Sequence, residues 1–365
     1  MDALTPLFLL LERPPMKESL IDTLRNVGKP TLVLQNPDGS EVILLPYGGR
    51  VLGLFAPGSG ENFYWTHPAL ESVESAKEFY AGDQWHNSGG DRTWLAPEVD
   101  FFFPHYPKTD VYHQPRELDP GSYQVVQDGG GERLVNRATC LLSRSKARIE
   151  LEISKQIGPA PNPLRNEPGP ANLAGVKYAG YTQRTSLRWL AGEKTATPVG
   201  LWNLVQMPHG GELLVPTYAR TEPKVFFGTI SPDDLRIDDH LVRYRMVAPG
   251  EQKIAVRAIA VAGRIGYLYP ARDGRWSLVV RNVFVDPSRA YVDVPWNDPE
   301  DRGYAVQACN VHSGLGSFSE LEHHAPAIGP GTGRTSCEDV SQVWAFRGSR
   351  TEIDHIINSL LTWRT

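Results

Sequence analysis

Residues 147–154 read Ala147-Arg148-Ile149-Glu150-Leu151-Glu152-Ile153-Ser154, and their apolar side chains occupy every second position. Successive side chains of a β-strand point to opposite faces of the sheet, so this spacing predicts a strand with one buried and one solvated face. Antiparallel sheets commonly keep one face in solvent, whereas both faces of parallel sheets are covered. The segment therefore predicts an antiparallel sheet.

The rest of the chain has the same texture. Its 365 residues include 34 glycines and 30 prolines, which separate short runs of β-branched and aromatic residues. The Asp38-Gly39 pair predicts a hairpin turn between two of these runs. We expect strands at residues 31–35, 41–46, 147–157, 213–216, 254–262, 276–285 and 304–312.

Helical patterns are few. Residues 351–363 carry isoleucines and leucines at helical spacing, with Thr351 as the expected N-cap, and further helices are expected at 16–27 and 68–80. Strands and helices do not alternate, which argues against a parallel α/β fold. Residues 158–175 predict a long surface loop, a candidate wall of a binding cleft. We expect an all-β fold, a large antiparallel β-sandwich with a few peripheral helices, formed by residues 16–365 as one domain after an N-terminal extension at 1–15.

Composition excludes several classes of function. The net charge of -5 offers no basic surface for phosphate backbones, and no nucleic-acid motif is present. The three cysteines form no CxxC pair, so we expect neither a zinc site nor a disulfide framework and assign the protein to a reducing cytoplasm. The apolar residues 7–11 are too short for a signal peptide, and no apolar stretch is long enough to cross a membrane. The sequence leaves the oligomeric state open.

Four segments, in this order along the chain, carry a resemblance to a known family. The first is Val42-Ile43-Leu44-Leu45-Pro46-Tyr47-Gly48-Gly49-Arg50-Val51 and the second is Trp85-His86-Asn87-Ser88-Gly89-Gly90-Asp91-Arg92-Thr93-Trp94-Leu95-Ala96-Pro97-Glu98. The third is Thr197-Pro198-Val199-Gly200-Leu201-Trp202-Asn203 and the last is Ser319-Glu320-Leu321-Glu322-His323-His324-Ala325-Pro326. Together they resemble the galactose mutarotase-like superfamily, which includes aldose 1-epimerases and hexose-phosphate epimerases.

The resemblance implies a carbohydrate ligand and, for an enzyme, epimerisation at the anomeric carbon without a cofactor. It implies that Glu322 is the catalytic base. In aldose epimerases the Thr-Pro-Val strand carries an Asn-His pair whose histidine is the acid, whereas here Asn203 is followed by Leu204. Leucine cannot transfer a proton, so the expected catalytic set is incomplete on this strand.

Mutarotation needs both a base and an acid, because neither proton transfer is fast unaided near neutral pH. Strand alternation places Glu320, Glu322 and His324 on one face of their strand. His86, beside the Gly-Gly turn, and His312, at the end of a neighbouring strand, are the candidate acids in that order. Each has a structural alternative, such as a hydrogen bond from a loop histidine to a nearby carbonyl.

Six further residues are candidate ligand contacts. A guanidinium holds hydroxyl pairs or carboxylates, although Arg92 has the alternative of an ion pair with Asp91 or Glu98. Tryptophan faces stack on sugar rings, although most tryptophans of a sandwich fill its core. Glu320 also has the alternative of a solvated strand face. The set is Arg92, Trp94, Glu98, Trp202, Gln206 and Glu320.

A metal site is the main alternative to a carbohydrate site that the sequence offers. His105 and His113 occur near Asp100 and Asp110, but the spacing matches no tight ligand motif, so we expect a surface loop and no metal.

Two other functions remain open. One is a non-catalytic sugar-binding module or sensor, and the other is a glycoside hydrolase or lyase, which for hydrolysis requires two carboxylates about 5–10 Å apart across the cleft.

Overall fold

The structure is a computed structural model that describes residues 16–128, 131–166, 173 and 175–362. The extension expected at residues 1–15 lies outside the described residues. Most of the described chain that carries regular structure is β-strand, and every strand pair that the structure describes is antiparallel. The predicted fold class is therefore confirmed.

The strands form two sheets. The first has nine strands, in the spatial order β1 (Leu32–Gln35), β2 (Glu41–Leu45), β3 (Arg50–Phe55), β4 (Asp91–Ala96), β9 (Gly200–Pro208), β18 (Gly316–His324), β17 (Tyr304–Ser313), β14 (Gly250–Arg257) and β11 (Lys224–Phe227). The second has ten strands, in the order β12 (Leu235–Ile237), β13 (Leu241–Arg245), β10 (Glu212–Pro216), β15 (Arg264–Pro270), β16 (Trp276–Asn282), β19 (Ser336–Gly348), β8 (Lys177–Gly192), β7 (Arg148–Pro159), β6 (Gly131–Leu141) and β5 (Gln124–Asp128).

The two sheets pack face to face around the largest apolar cluster. Val205 and Leu321 of the nine-stranded sheet share this cluster with Tyr181, Val279 and Val343 of the ten-stranded sheet. Alternation along each strand therefore directs the neighbours of Val205 and Leu321 away from the second sheet. The candidate site lies on that outward face of the nine-stranded sheet.

The strands expected from the sequence are present, with shifts at their ends. The segment that starts at Ala147 forms β7, where Ile149, Leu151 and Ile153 are buried and Glu150 is exposed, as its alternation predicts. The expected strand at 254–262 is β14, but it begins earlier and ends at Arg257. Its early start matters, because it brings Lys253 into the sheet.

The described helices are few: α1 (Lys17–Asn26), α2 (Val73–Ala81), the short and fully buried α3 (Glu98–Phe101), α4 (Arg350–Leu360) and a 3₁₀ turn at Pro68–Glu71. The N-cap of α4 is Ser349 and not Thr351, because Ser349 and Glu352 form a reciprocal capping box that satisfies both backbone donors. None of the described helices is long and apolar enough to span a membrane.

The glycine pair before β4 allows its loop to pass close to the backbone of Trp65 and Val51. Gly89 and Gly90 have φ values of +96° and +72°, a region that favours glycine. A Cβ at Gly89 would lie 2.4 Å from the carbonyl oxygen of Trp65, and one at Gly90 would lie 2.3 Å from that of Val51. These close contacts allow β4 to lie between β3 and β9 in the sheet. Arg92 and Trp94 of β4 therefore lie opposite residues of β9.

Candidate functional site

A cluster of buried polar side chains covers the outward face of the central strands. In the strand register, Leu204 of β9 lies between Arg92 of β4 and Glu322 of β18, and Glu322 faces Gln307 of β17. The adjacent row runs from Gln206 through Glu320 and Cys309 to Lys253. We call this group the Glu322 cluster; its members are Arg92, Trp94, Glu98, Trp202, Leu204, Gln206, Lys253, Cys309, Glu320, Glu322 and His324.

Glu322 is completely buried at the centre of the cluster. Its Oε2 accepts a hydrogen bond from the Trp202 indole at 2.8 Å and lies 3.1 Å from the Lys253 ammonium. Its Oε1 has no hydrogen-bond partner among the described residues. Burial raises the pKa of Glu322 to about 8, although the Lys253 charge acts in the opposite direction. Near neutral pH this carboxyl can therefore both hold and release a proton.

Lys253 joins two of the acids. Its Nζ lies 3.1 Å from Glu322 and 3.5 Å from Glu98, and it stands 4.4 Å from the centre of the Trp202 ring. Burial lowers the pKa of Lys253, but the nearby carboxylates outweigh that effect and raise it overall, so the ammonium stays charged. Sequence analysis did not identify Lys253, because a single lysine on a strand is ordinarily a solvent-facing residue.

Arg92 holds the second glutamate. Its Nη2 donates to Glu320 Oε1 at 2.8 Å, and Gln206 Nε2 donates to the same oxygen at 3.0 Å. The alternatives considered for Arg92, ion pairs with Asp91 or Glu98, are not formed; its partner is Glu320. The Arg92 guanidinium stacks 4.0 Å from the Trp94 ring centre. Its Nε and Nη1, and Gln206 Oε1, are buried with no hydrogen-bond partner among the described residues.

The two tryptophans predicted to stack on a sugar are packed inside the protein. Trp202 is 2% exposed, beside Lys253 and the imidazole of His324, whose ring centre is 5.7 Å away and nearly parallel. Trp94 is 3% exposed, between Arg92 and Phe102. Neither indole presents an open face; Trp202 donates a hydrogen bond to Glu322, and Trp94 lies against the Arg92 guanidinium.

Glu98 ties the cluster to the segment that covers it. Its Oε1 accepts a hydrogen bond from the Tyr112 hydroxyl at 2.8 Å, and its Oε2 accepts one from the Trp296 indole at 2.9 Å. Tyr112 lies in residues 104–117, which contain no helix or strand and are largely exposed. The partly exposed Tyr112 side chain thus contacts the cluster from the solvent side.

The cluster also contains one set of potential metal ligands. Cys309 Sγ and carboxylate oxygens of Glu320 and Glu322 lie within 4.8 Å of one another. Both carboxylates already pair with cations, and burial raises the pKa of the Cys309 thiol, which disfavours the thiolate that a metal would require. The donor set therefore fits a metal poorly.

A comparison with protein-family models identifies the family. The model of a family of unknown function, DUF6786, matches residues 18–364. The chain belongs to this family. A search of curated protein sequences finds no match.

Solved structures with similar folds differ strongly in sequence. A galactose mutarotase-like protein from Lactobacillus casei ATCC 334 is 10% identical, with a TM-score of 0.44, over 86% of this chain and 99% of that one. A putative aldose 1-epimerase from Escherichia coli K12 is 11% identical, with a TM-score of 0.42, over 87% and 99%. Galactose 1-epimerase from Lactobacillus acidophilus NCFM is 8% identical, with a TM-score of 0.40, over 88% and 95%.

The predicted histidines do not lie beside Glu322. His312 is exposed in the β17–β18 hairpin, where it contacts Ser317 and His209. Ser317 is five positions from Glu322, a distance of about 17 Å along a strand. His86 is buried in a different group, with its Nδ1 2.7 Å from the Tyr47 hydroxyl.

His324 is the imidazole that adjoins Glu322, two positions away on the same face of β18. It stacks on Trp202, whose indole donates to Glu322. Both of its ring nitrogens are buried without a hydrogen-bond partner among the described residues. Burial, and then the Lys253 charge, hold the pKa of His324 well below its usual value, so the ring is neutral. Its place on the strand face was predicted from the sequence, although it was not among the candidate site residues.

The histidines and aspartates considered for a metal site have other roles. Asp100 is buried and accepts two hydrogen bonds from the Arg144 guanidinium at 3.1 and 2.7 Å. His105 and His113 are exposed in the segment at residues 104–117. This agrees with the surface loop expected there.

Proposed function

We propose that this protein binds an uncharged carbohydrate in the Glu322 cluster and, as an enzyme, catalyses epimerisation at its anomeric carbon. The observation that carries the proposal is the set of unpartnered polar atoms around one carboxyl group. These are Glu322 Oε1, Gln206 Oε1, Arg92 Nε and Nη1, and both nitrogens of His324. Unpaired buried polar groups are costly, so a ligand that pairs with them gains that free energy on binding.

The mixture of these atoms indicates the ligand class. Arg92 supplies donors, whereas Glu322 and Gln206 supply acceptors, and a hydroxyl group can serve both. Arg92 already uses Nη2 on Glu320, so its free Nε and Nη1 do not form one two-pronged edge for an oxyanion. A neutral polyol fits this pattern better than a sugar acid or a phosphate. The sequence resemblance to galactose mutarotase-like proteins supports the same class.

The proposed chemistry uses Glu322 as the base. Its ionised form takes the proton from the anomeric hydroxyl and returns it to the ring oxygen as the ring opens, while the neutral His324 imidazole donates an N–H hydrogen bond to that oxygen. After rotation the transfers reverse. The pKa of Glu322, about 8, is close to the working pH that proton transfer favours. Because Glu322 is fully buried, a ligand reaches it only when the segment that carries Tyr112 moves aside.

A glycoside hydrolase is disfavoured by the position of Lys253. The ammonium lies between the carboxylates of Glu98 and Glu322, which leaves no room there for a glycosidic bond. Non-catalytic sugar binding is the second candidate function, and Leu204 favours it. This leucine faces Glu322 at the position where the resemblance expects an acid.

Polarimetry tests the proposal. Pure protein is mixed with freshly dissolved common hexoses and pentoses, and the approach of optical rotation to equilibrium is followed. We expect acceleration for at least one sugar, rising with pH to half its maximum at about pH 8, and we expect Glu322→Gln to remove it. Glu338→Gln, which changes an exposed glutamate paired with Arg184, is the matched control and should retain the activity.

Calorimetric titration of the same sugars separates the two candidates. Binding without acceleration would replace the epimerase by a sugar-binding protein. If no sugar binds and none is turned over, the proposal as a whole is wrong.

A further inference from the structure

A pocket borders the Glu322 cluster at Trp85. Its volume is about 120 Å³, and its lining includes Trp85, His86, Arg116, Asp119 and Asp83. We call it the outer pocket. At about 30 Å³ per water molecule, about four waters fill it, which is space for much of one small ring.

One buried polar atom in the outer pocket lacks a partner. His86 is 6% exposed, and its Nε2 makes no hydrogen bond to any described residue, while its Nδ1 is occupied by the Tyr47 hydroxyl. Burial, and then the charges of Lys29 and Arg116, lower the pKa of His86 and keep the ring neutral. Nε2 is then a donor in one tautomer and an acceptor in the other, and either can pair with a hydroxyl.

The outer pocket carries no unbalanced charge among its described residues. Arg116 pairs with Asp83 at 3.3 Å, and Asp119 pairs with Arg50 at 2.6 Å. A phosphate or carboxylate would therefore find no free cation there. A neutral group that bears hydroxyls matches the pocket.

Trp85 connects the outer pocket to the cluster. Its indole donates to Asp119 Oδ2 at 2.9 Å, and the Trp94 indole donates to the same oxygen at 3.1 Å. The Trp85 ring centre is 5.6 Å from the Arg92 guanidinium, which holds Glu320 on its other side. Asp119 thus fixes the Trp85 indole where it borders both the outer pocket and Arg92.

We infer that the outer pocket binds a second sugar unit, so that the ligand of this protein is a reducing disaccharide, which keeps the free anomeric hydroxyl that the Glu322 chemistry requires. The inference rests on the proposed function of the Glu322 cluster and names its substrate class. His86 is in this view a specificity residue that hydrogen-bonds the second unit, and that unit packs against the Trp85 indole.

Calorimetry with matched sugars tests the inference. The probes are glucose, galactose, mannose and xylose together with maltose, cellobiose, lactose and xylobiose. We expect at least one disaccharide to bind about tenfold more tightly than its component monosaccharides, as one added hydrogen bond and some apolar contact would give. His86→Leu should remove that advantage and leave the Kd for the monosaccharide within about twofold.

A blocking variant guards against a folding defect in His86→Leu. Gln84 is exposed and lines the outer pocket, so Gln84→Trp should fill it and remove the same advantage. Gln127→Trp, at an exposed position on β5, is the control for the added bulk.

The outcomes separate the two ideas. If monosaccharides bind and no disaccharide binds more tightly, or both variants weaken the two ligand classes equally, the outer-pocket inference is overturned while the proposed function stands. If neither class binds the unmodified protein, both are overturned.

Discussion

Glu322 owes its properties to the residues that surround it on one sheet face. A carboxyl group without water is destabilised when charged, and here only one of its two oxygens receives compensating contacts, from Trp202 and Lys253. The result is a pKa of about 8 for a side chain whose ordinary value is about 4.3. This difference has a measurable consequence for stability.

The stability of the protein should fall as the pH rises through neutrality because of Glu322. Between about pH 4.3 and about pH 8 the folded state keeps a proton on this carboxyl that the unfolded state has released, so raising the pH favours unfolding. The slope from this one group is at most about 1.4 kcal/mol per pH unit. Urea titrations across this range should show a flatter profile for Glu322→Gln than for the unmodified protein. Equal slopes in the two proteins would contradict the raised pKa.

Leu204 offers a test of what the site lacks. It is fully buried and lies opposite both Glu322 and Arg92, so Leu204→His would place an imidazole in the same row. We expect a stability loss of about 1–3 kcal/mol from burying a polar ring and a gain of mutarotation measured by polarimetry. Leu204→Met keeps the volume without a titratable group and should show no gain. Retained sugar binding without any gain in Leu204→His would mean that more than one catalytic element is missing.

At the scale of elements, the alternation of apolar and polar residues was sufficient to predict the strands but not which strands pair with one another. The apolar spacing predicted β7 correctly, and the order Glu320, Glu322, His324 correctly predicted one strand face. Arg92, a candidate ligand contact from a distant segment, pairs with Glu320 on that face. Whether a side chain reaches the site also depends on its position along the strand, which no local sequence pattern predicts. His312, for example, is on a strand that pairs with β18, yet it lies at the hairpin end, away from Glu322.

Lys253 and Tyr112 are two residues of the site that local sequence patterns could not predict, for two different reasons. Lys253 enters the site through the pairing of β14 with β17, a contact between residues about 55 positions apart. Tyr112 enters through a segment with no regular structure, for which periodicity carries no information. Both residues act on Glu98, which the sequence did include among the ligand contacts.

The segment at residues 104–117 should open more readily in Tyr112→Phe. The substitution keeps the ring and removes only the hydrogen bond to Glu98, a contact to a charged group worth about 1.5–3 kcal/mol. Hydrogen exchange of the backbone amides in 104–117 should become about tenfold faster, and sugar association should accelerate. Tyr178→Phe removes a bond of similar length to Ala160 elsewhere and should leave this segment unchanged. An unaltered exchange rate in Tyr112→Phe would show that other contacts hold the segment closed.

At the scale of the whole molecule, β4 carries buried charged side chains on both of its faces. Arg92 of β4 points outward to the cluster, while the preceding Asp91 points inward between the sheets. There Asp91 lies 2.9 Å from Arg281 and 3.6 Å from Lys155, and it accepts a hydrogen bond from the Tyr181 hydroxyl at 2.8 Å. The inner charges therefore join the two sheets directly beneath the candidate site.

Asp91 should be among the most important single residues for stability. All three charged groups of this contact are at most 1% exposed, so Asp91→Asn leaves the cations of Arg281 and Lys155 buried with no full counter-charge. Removing one partner of a buried ion pair costs about 3–5 kcal/mol, and we expect a loss of that size from the urea midpoint with an unchanged slope. Asp273→Asn breaks a 2.6 Å ion pair at the surface and should cost at most about 1 kcal/mol. Adding Lys155→Met to Asp91→Asn should recover part of the loss, because one unpaired cation is then gone. A cost for Asp91→Asn no larger than that of the surface control would mean that water reaches the space between the sheets and solvates these charges.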